Sequence, residues 1–96
     1  MTAIRIVTVD GRDIGYLHIE DHEDHVFLTG IYLSNEYRRR GVGSELLVDL
    51  LERCRNRGKP LRLRVLRPNP AQSLYGRLGF RTIAETETHL YMEAPT

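Results

Sequence analysis

Residues 26–47 read VFLTGIYLSNEYRRRGVGSELL. The first nine residues are apolar and β-branched enough for a central strand. Gly30 inside them predicts a bulge or a close backbone approach. After Ser34 the pattern changes. From residue 42 onward Leu46, Leu47, Leu50, Leu51 and Cys54 recur at helical spacing, a stripe one face wide. Gly58 and then Pro60 stop that helix. The stretch is therefore strand, glycine-rich turn, helix.

The rest of the chain arranges itself around this unit. LRLRVLR (61–67) alternates and predicts a fourth strand, paired with 26–34. Their connection runs through a helix, so the pairing should be parallel. Asn69 and Pro70 open a second helix, as N-cap and first helical residue. Ala71, Leu74, Tyr75 and Leu78 share one face of it, and Gly79 is the left-handed residue at its end. FRTIAE (80–85) and THLYME (88–93) make a closing antiparallel pair. Upstream, IRIVTV (4–9) and IGYLHIE (14–20) are strands joined by the hairpin signal Asp10, Gly11. DHEDH (21–25) is a polar turn. The order β-β-β-α-β-α-β-β gives an α/β fold with a mixed, mostly antiparallel central sheet and two helices, in a single domain over 1–96.

Bulk properties narrow the function. A chain of 96 residues buries about two-thirds of its extended surface, enough for one core with little spare wall for a deep cleft. The net charge of +1 argues against a dedicated nucleic-acid binder. The lone Cys54 allows no internal disulfide, which fits a cytoplasmic protein. No apolar run approaches the ~20 residues of a membrane span, and the first residues lack the apolar segment of a secretory signal.

Flexible backbone beside concentrated positive charge, just before a helix, is suited to phosphate. The first amides of a helix have no internal partner and sit at the positive end of its dipole. Gly41 and Gly43 let an anion approach without a Cβ in the way. Arg38, Arg39 and Arg40 add charge. A kinase-type phosphate loop needs a lysine that is missing here. A dinucleotide fingerprint needs a third glycine where Leu46 stands. What survives is R-x-x-G-x-G, and on these residues alone a solvated turn with three exposed arginines is the alternative.

A second motif, NPAQSLYGRLGF (69–80), decides between them. Together with LSNEYRRRGVGSELL (33–47), it resembles the GNAT acyl-CoA-dependent N-acetyltransferases, in a short form without the strand and two helices that usually open the domain. The resemblance implies acetyl-CoA as cosubstrate and an amine as acceptor. It implies that amides of Arg39, Arg40, Gly41, Val42, Gly43 and Ser44 hold the CoA pyrophosphate, with Arg38 opening the motif. It further implies that Ile31 and Leu33, with Tyr32 between them, meet the pantetheine arm where the third and fourth strands splay. Asn69 would contact the cofactor arm, and Tyr75 would lie near the thioester sulfur. The shortened form leaves the acceptor side open, so a homodimer completing the cleft or a large acceptor is expected.

The chemistry is consistent with those roles. Acetyl transfer to an amine passes through a tetrahedral oxyanion, which a backbone amide near Leu33 would stabilise. It then expels a thiolate, to which a phenol is a reasonable proton donor, since ordinary values are about 10 and about 8.5. Tyr75 equally fits a core aromatic on the helical stripe. Candidates for the base that deprotonates the amine are Glu20, His18, His25 and Glu36. His18 and Glu20 share a strand face, yet no motif assigns any of the four.

Other features read as structural. DHEDH combines histidines and carboxylates, but its spacing fits no established metal site, and a tight turn should hold neighbouring side chains apart. No metal is expected. Cys54 lies on the apolar stripe as a buried thiol. Arg62 and Arg64 alternate with Leu61, Leu63 and Val65, but the strand has no aromatic for stacking RNA bases. It reads as solvated on one face or paired with acidic neighbours. Two competing classes remain: a non-catalytic acyl-CoA-binding module, and a small polyanion binder using the arginine cluster.

Overall fold

A computed structural model describes residues 2–9, 12–33 and 42–95. Its elements follow the expected order: β1 (Thr2–Val9), β2 (Arg12–Asp21), β3 (Val26–Leu33), α1 (Val42–Asn56), β4 (Leu61–Leu66), α2 (Ala71–Arg77), β5 (Arg81–Glu85) and β6 (His89–Ala94). One six-stranded sheet has the order β1-β2-β3-β4-β6-β5. β3 and β4 are parallel, as the intervening helix requires, and every other pair is antiparallel. The last strand in sequence is therefore interior, and β5 forms an edge exposed throughout.

Alternation separates the two faces of the sheet. Leu17, Ile19, Val26, Leu28, Leu61, Leu63, Val65, Met92 and Ala94 are buried on one face. All of these but Leu17 pack with Leu47, Leu50, Leu51 and Cys54, the stripe of α1, and with Phe80, while Tyr75 and Leu78 of the α2 segment lean on the same cluster. Each fully buried leucine contributes about 1.5–3 kcal/mol, and Leu61 at 0 % and Leu47 at 1 % exposure are the most enclosed. The opposite face carries Tyr16, His18, Glu20, Phe27, Tyr32, Arg62, Arg64 and Tyr91, half-buried or exposed.

Both helices end as the glycines predict. Gly58 has φ 69° and Gly79 has φ 99°. In α1 the Lys59 amide reaches back to the Cys54 carbonyl, and the Gly58 amide to that of Arg55, both at 3.0 Å. These paired closures satisfy carbonyls that the helix leaves orphaned. Basic Arg53 and Arg55 in the last turn complement the helix dipole. The end of β2 is tied to this corner: Lys59 donates to Asp21 at 2.9 Å and to the His22 carbonyl at 2.6 Å, and Arg57 donates to Asp21 at 2.8 Å.

Candidate acyl-CoA site and its open sheet face

The sheet is joined at its middle by very little. β3 and β4 pair only at Val26 with Leu61, Phe27 with Arg62, and Leu28 with Leu63. Beyond that point β3 stays with β2 as far as Leu33, and β4 stays with β6 as far as Leu66. The cause lies in β3. His18 faces Gly30, but the next residue, Ile19, faces Leu28, so Thr29 has no opposite number. A bulge of this kind bends and over-twists its strand, and here it turns β3 away from β4. The unopposed residue is thus Thr29, one before Gly30. Gly30 supplies the close approach, since a Cβ there would lie 2.8 Å from Cε2 of Tyr32.

The fork opens at the carboxyl ends of two parallel strands, the usual place for ligands in open α/β sheets. α1 follows β3 and begins at Val42, so the amides of Val42, Gly43 and Ser44 have no partner inside the helix. Arg38, Arg39, Arg40, Gly41 and the candidate base Glu36 lie outside the described residues. Ile31, Tyr32 and Leu33 lie on the β3 arm, beyond its last pair with β4. Ile31 turns inward against the core. Tyr32 faces the other way, 50 % exposed, with its ring stacked on Tyr16 at 4.6 Å. Its side chain therefore lines the sheet face turned away from the helices.

The β4 arm leads directly into α2. The Asn69 amide donates to the Leu66 carbonyl at 3.0 Å, and Oδ1 of Asn69 accepts from the Ala71 amide at 2.9 Å. Pro70 already has helical angles, φ −67° and ψ −11°. The N-cap position thus falls at Pro70 rather than at Asn69, one residue later than expected, and the Asn69 side chain braces the turn that leads into the helix. With Oδ1 so engaged, the side-chain NH2 is the part of Asn69 suited to donate to a ligand. Gln72 Nε2 donates to the Arg67 carbonyl and also to that of Leu66, at 3.4 Å, clasping the turn between β4 and α2. The sequence reading gave Gln72 no role.

Tyr75 is half-buried, with its ring tilted against Phe80 at 5.7 Å. Burial pushes the phenol above its ordinary value. It is therefore fully protonated at neutral pH, the form a proton donor requires. The other candidates lie on or beside the open face. His18 is half-buried, opposite Gly30. Glu20 pairs with His22 Nε2 at 3.1 Å rather than with His18. His25 pairs with Asp24 at 2.7 Å, which holds the Asp24 carboxyl below its ordinary value. The rings of His22 and His25 stack at 4.5 Å, so the expectation that this turn keeps neighbouring side chains apart does not hold for them. A backbone bond from His22 to His25 closes the turn and brings the rings together. No cluster of three metal-ligating side chains stands among the described residues.

A profile described as an acetyltransferase (GNAT) domain matches residues 2–82 of the chain. The chain belongs to the GNAT acetyltransferase family. The paiA N-acetyltransferase of Thermoplasma acidophilum, solved in complex with coenzyme A, is 25 % identical, with a TM-score of 0.79. That match covers 95 % of this GNAT chain but 58 % of the Thermoplasma protein. The ribosomal-protein-S18-alanine N-acetyltransferase of Escherichia coli is also 25 % identical, with a TM-score of 0.85, covering 98 % of this chain and 68 % of that one. A GNAT family acetyltransferase of Elizabethkingia anophelis with acetyl-CoA bound shares the fold, with a TM-score of 0.83 at 15 % identity over 99 % and 76 % of the two chains. Comparison with curated proteins gives no match. No helix among the described residues is long and apolar enough to cross a membrane.

Proposed function

We propose that the protein, as one domain over 1–96, is an acetyl-CoA-dependent N-acetyltransferase that acts on a primary amine. The observation carrying this reading is the fork between β3 and β4, with the start of α1 at the end of one arm and Tyr75 in the segment after the other. A diphosphate would be held by the amides of Val42, Gly43 and Ser44 and by the preceding Arg38, Arg39, Arg40 and Gly41. The pantetheine arm would lie along Ile31, Tyr32 and Leu33, and Asn69 would contact it. The neutral amine nitrogen attacks the thioester carbonyl carbon, and its proton leaves to a base. The resulting oxyanion collapses, the carbon–sulfur bond breaks, and the departing thiolate takes the proton of Tyr75. The coenzyme A found in the Thermoplasma relative supports the choice of cosubstrate.

The reading includes a cytoplasmic homodimer. Tyr16 and Tyr32, at 38 % and 50 % exposure, offer an aromatic surface for a second copy. The buried thiol of Cys54 suits a reducing compartment. Sedimentation showing a monomer at high concentration would remove the dimer.

The decisive test is release of CoA thiol from acetyl-CoA across a panel of amines. Turnover with at least one amine is expected, together with shifts of the Val42, Gly43 and Ser44 amide signals on titration with acetyl-CoA. Those shifts without turnover on any amine would leave a binding module. Unmoved amides would remove the acyl-CoA site altogether.

A further inference from the structure

The open face of the sheet holds a recess of about 290 Å³ walled by Glu20, His22, Phe27, Thr29, Arg64 and Tyr91. Thr29 is the first residue of β3 beyond its last pair with β4, and Arg64 is the first such residue of β4. The recess therefore sits at the root of the fork, on the side turned away from the helices. Resting on the acetyltransferase reading, we propose that it is the acceptor site, and that it takes a small primary amine bearing a carboxylate, of which an amino acid is the simplest case.

The charges define that ligand. Arg62 is neutralised by Glu93 at 2.7 Å, and Arg67 by Glu85 at 2.6 Å. Arg64 lies between them on the chain, faces the recess, and has no ion pair among the described residues. A guanidinium in this setting matches a carboxylate through two parallel hydrogen bonds. On the opposite wall stands the carboxylate of Glu20, which suits an ammonium. Register fixes their spacing. Glu20 is level with Phe27, and Phe27 with Arg62, so Arg64 lies two strands across and two residues along. With strands about 4.8 Å apart and about 3.3 Å per residue, the two Cα atoms stand ~12 Å apart, which leaves a short ligand between the side chains.

The remaining walls agree with a compact acceptor. Phe27 and Tyr91 supply an aromatic floor, and Thr29 a hydroxyl at the root of the fork. The volume lies near the lower limit of small-molecule sites, roughly 300–1,000 Å³. The ammonium held by Glu20 has to lose a proton before it attacks. Glu20 takes that proton, and its partner His22 is exposed enough to hand it to water, with side-chain exposures of 40 % and 42 %. The carboxylate on Arg64 then fixes which amine of the ligand points into the gap between β3 and β4.

The test compares an amino acid with its decarboxylated amine: histidine with histamine, lysine with cadaverine, tyrosine with tyramine. Thiol release should favour the carboxylated member by at least about tenfold in kcat/KM, a difference of about 1.4 kcal/mol. Arg64→Gln should collapse that ratio through KM, and Arg64→Lys should restore part of it. Equal rates within pairs, or a ratio that survives Arg64→Gln, overturn the proposal while leaving the acetyltransferase reading intact. Loss of that reading appears instead as no thiol release with any amine. The recess is then judged by NMR alone. Histidine, and not histamine, should shift the Thr29, Arg64 and Tyr91 signals in the native protein and not in Arg64→Gln, and absence of that contrast overturns it.

Discussion

The amide of Phe80 donates to the carbonyl of Tyr75 at 3.0 Å, and the two rings meet at 5.7 Å with an interplanar angle of 59°. Between them Gly79, at φ 99°, sends its own amide to the Gly76 carbonyl at 3.2 Å. The Tyr-x-x-x-Gly-Phe spacing is thus a helix-terminating motif whose apolar clasp joins the tyrosine to the phenylalanine. Phe80 is 4 % exposed, so the clasp anchors the end of α2 in the core and fixes where Tyr75 stands.

Gly79→Ala tests the clasp. A Cβ at this position would meet no atom within 4 Å, so any cost comes from the backbone alone. Holding a non-glycine residue at positive φ costs about 1–2 kcal/mol. Urea unfolding should show a loss of that size. A change of only a few tenths would mean that the turn relaxes without effort and does not hold Tyr75.

Tyr75→Phe separates the ring from its proton. The ring packing against Phe80 is retained, so stability should move little. Loss of a general acid lowers rate by about 10²–10⁴-fold. We therefore expect kcat to fall within that range while the acetyl-CoA dissociation constant stays within about twofold. An undiminished kcat removes Tyr75 from the mechanism.

The sequence made the parallel joint legible, because a strand, a helical stripe and a second alternating strand leave few topologies open. It did not reveal which closing strand lies beside β4, since residues 80–85 and 88–93 both look like strands. Burial of Met92 and Ala94 settles that in favour of β6. The glycines at 58 and 79 could be read because a left-handed residue has a narrow chemical identity. The recess could not: its six walls come from β2, β3, β4, β6 and the turn after β2, and they meet only once register is set. Arg62 and Arg64 look alike in LRLRVLR, and only the cross-strand neighbour Glu93 distinguishes a paired arginine from one facing the recess.

Gly30→Ala probes the aromatic rim. The added methyl would stand 2.8 Å from Cε2 of Tyr32, so the ring has to swing away from Tyr16. Half of that ring is already in solvent, which keeps the change tolerable. An aromatic pair contributes about 0.5–1.5 kcal/mol beyond its buried area, and the loss should not exceed that. Ring-current shifts of the Tyr16 protons should collapse toward ordinary values. Persistence of those shifts would show that β3 adjusts instead of the ring.

The acid limit of stability should report on Asp21. Hydrogen bonds from Lys59 and then from Arg57 pull its carboxyl down to about 2. A carboxyl whose folded value lies below its unfolded one stabilises the fold above the unfolded value, about 3.9. That contribution fades as pH falls through the folded value. The native protein should therefore lose stability between about pH 4 and pH 2 beyond what Asp21→Asn loses, because the amide has no proton to gain. Above about pH 5 Asp21→Asn should be the less stable of the two, as Lys59 and Arg57 then lack their anion. Urea midpoints at pH 6, 4 and 2.5 for both proteins measure the difference, and carboxyl-carbon NMR titration reads the Asp21 value directly. Parallel midpoint curves, or an Asp21 titration near 3.9, would show that the corner between β2 and α1 is not held by this carboxylate.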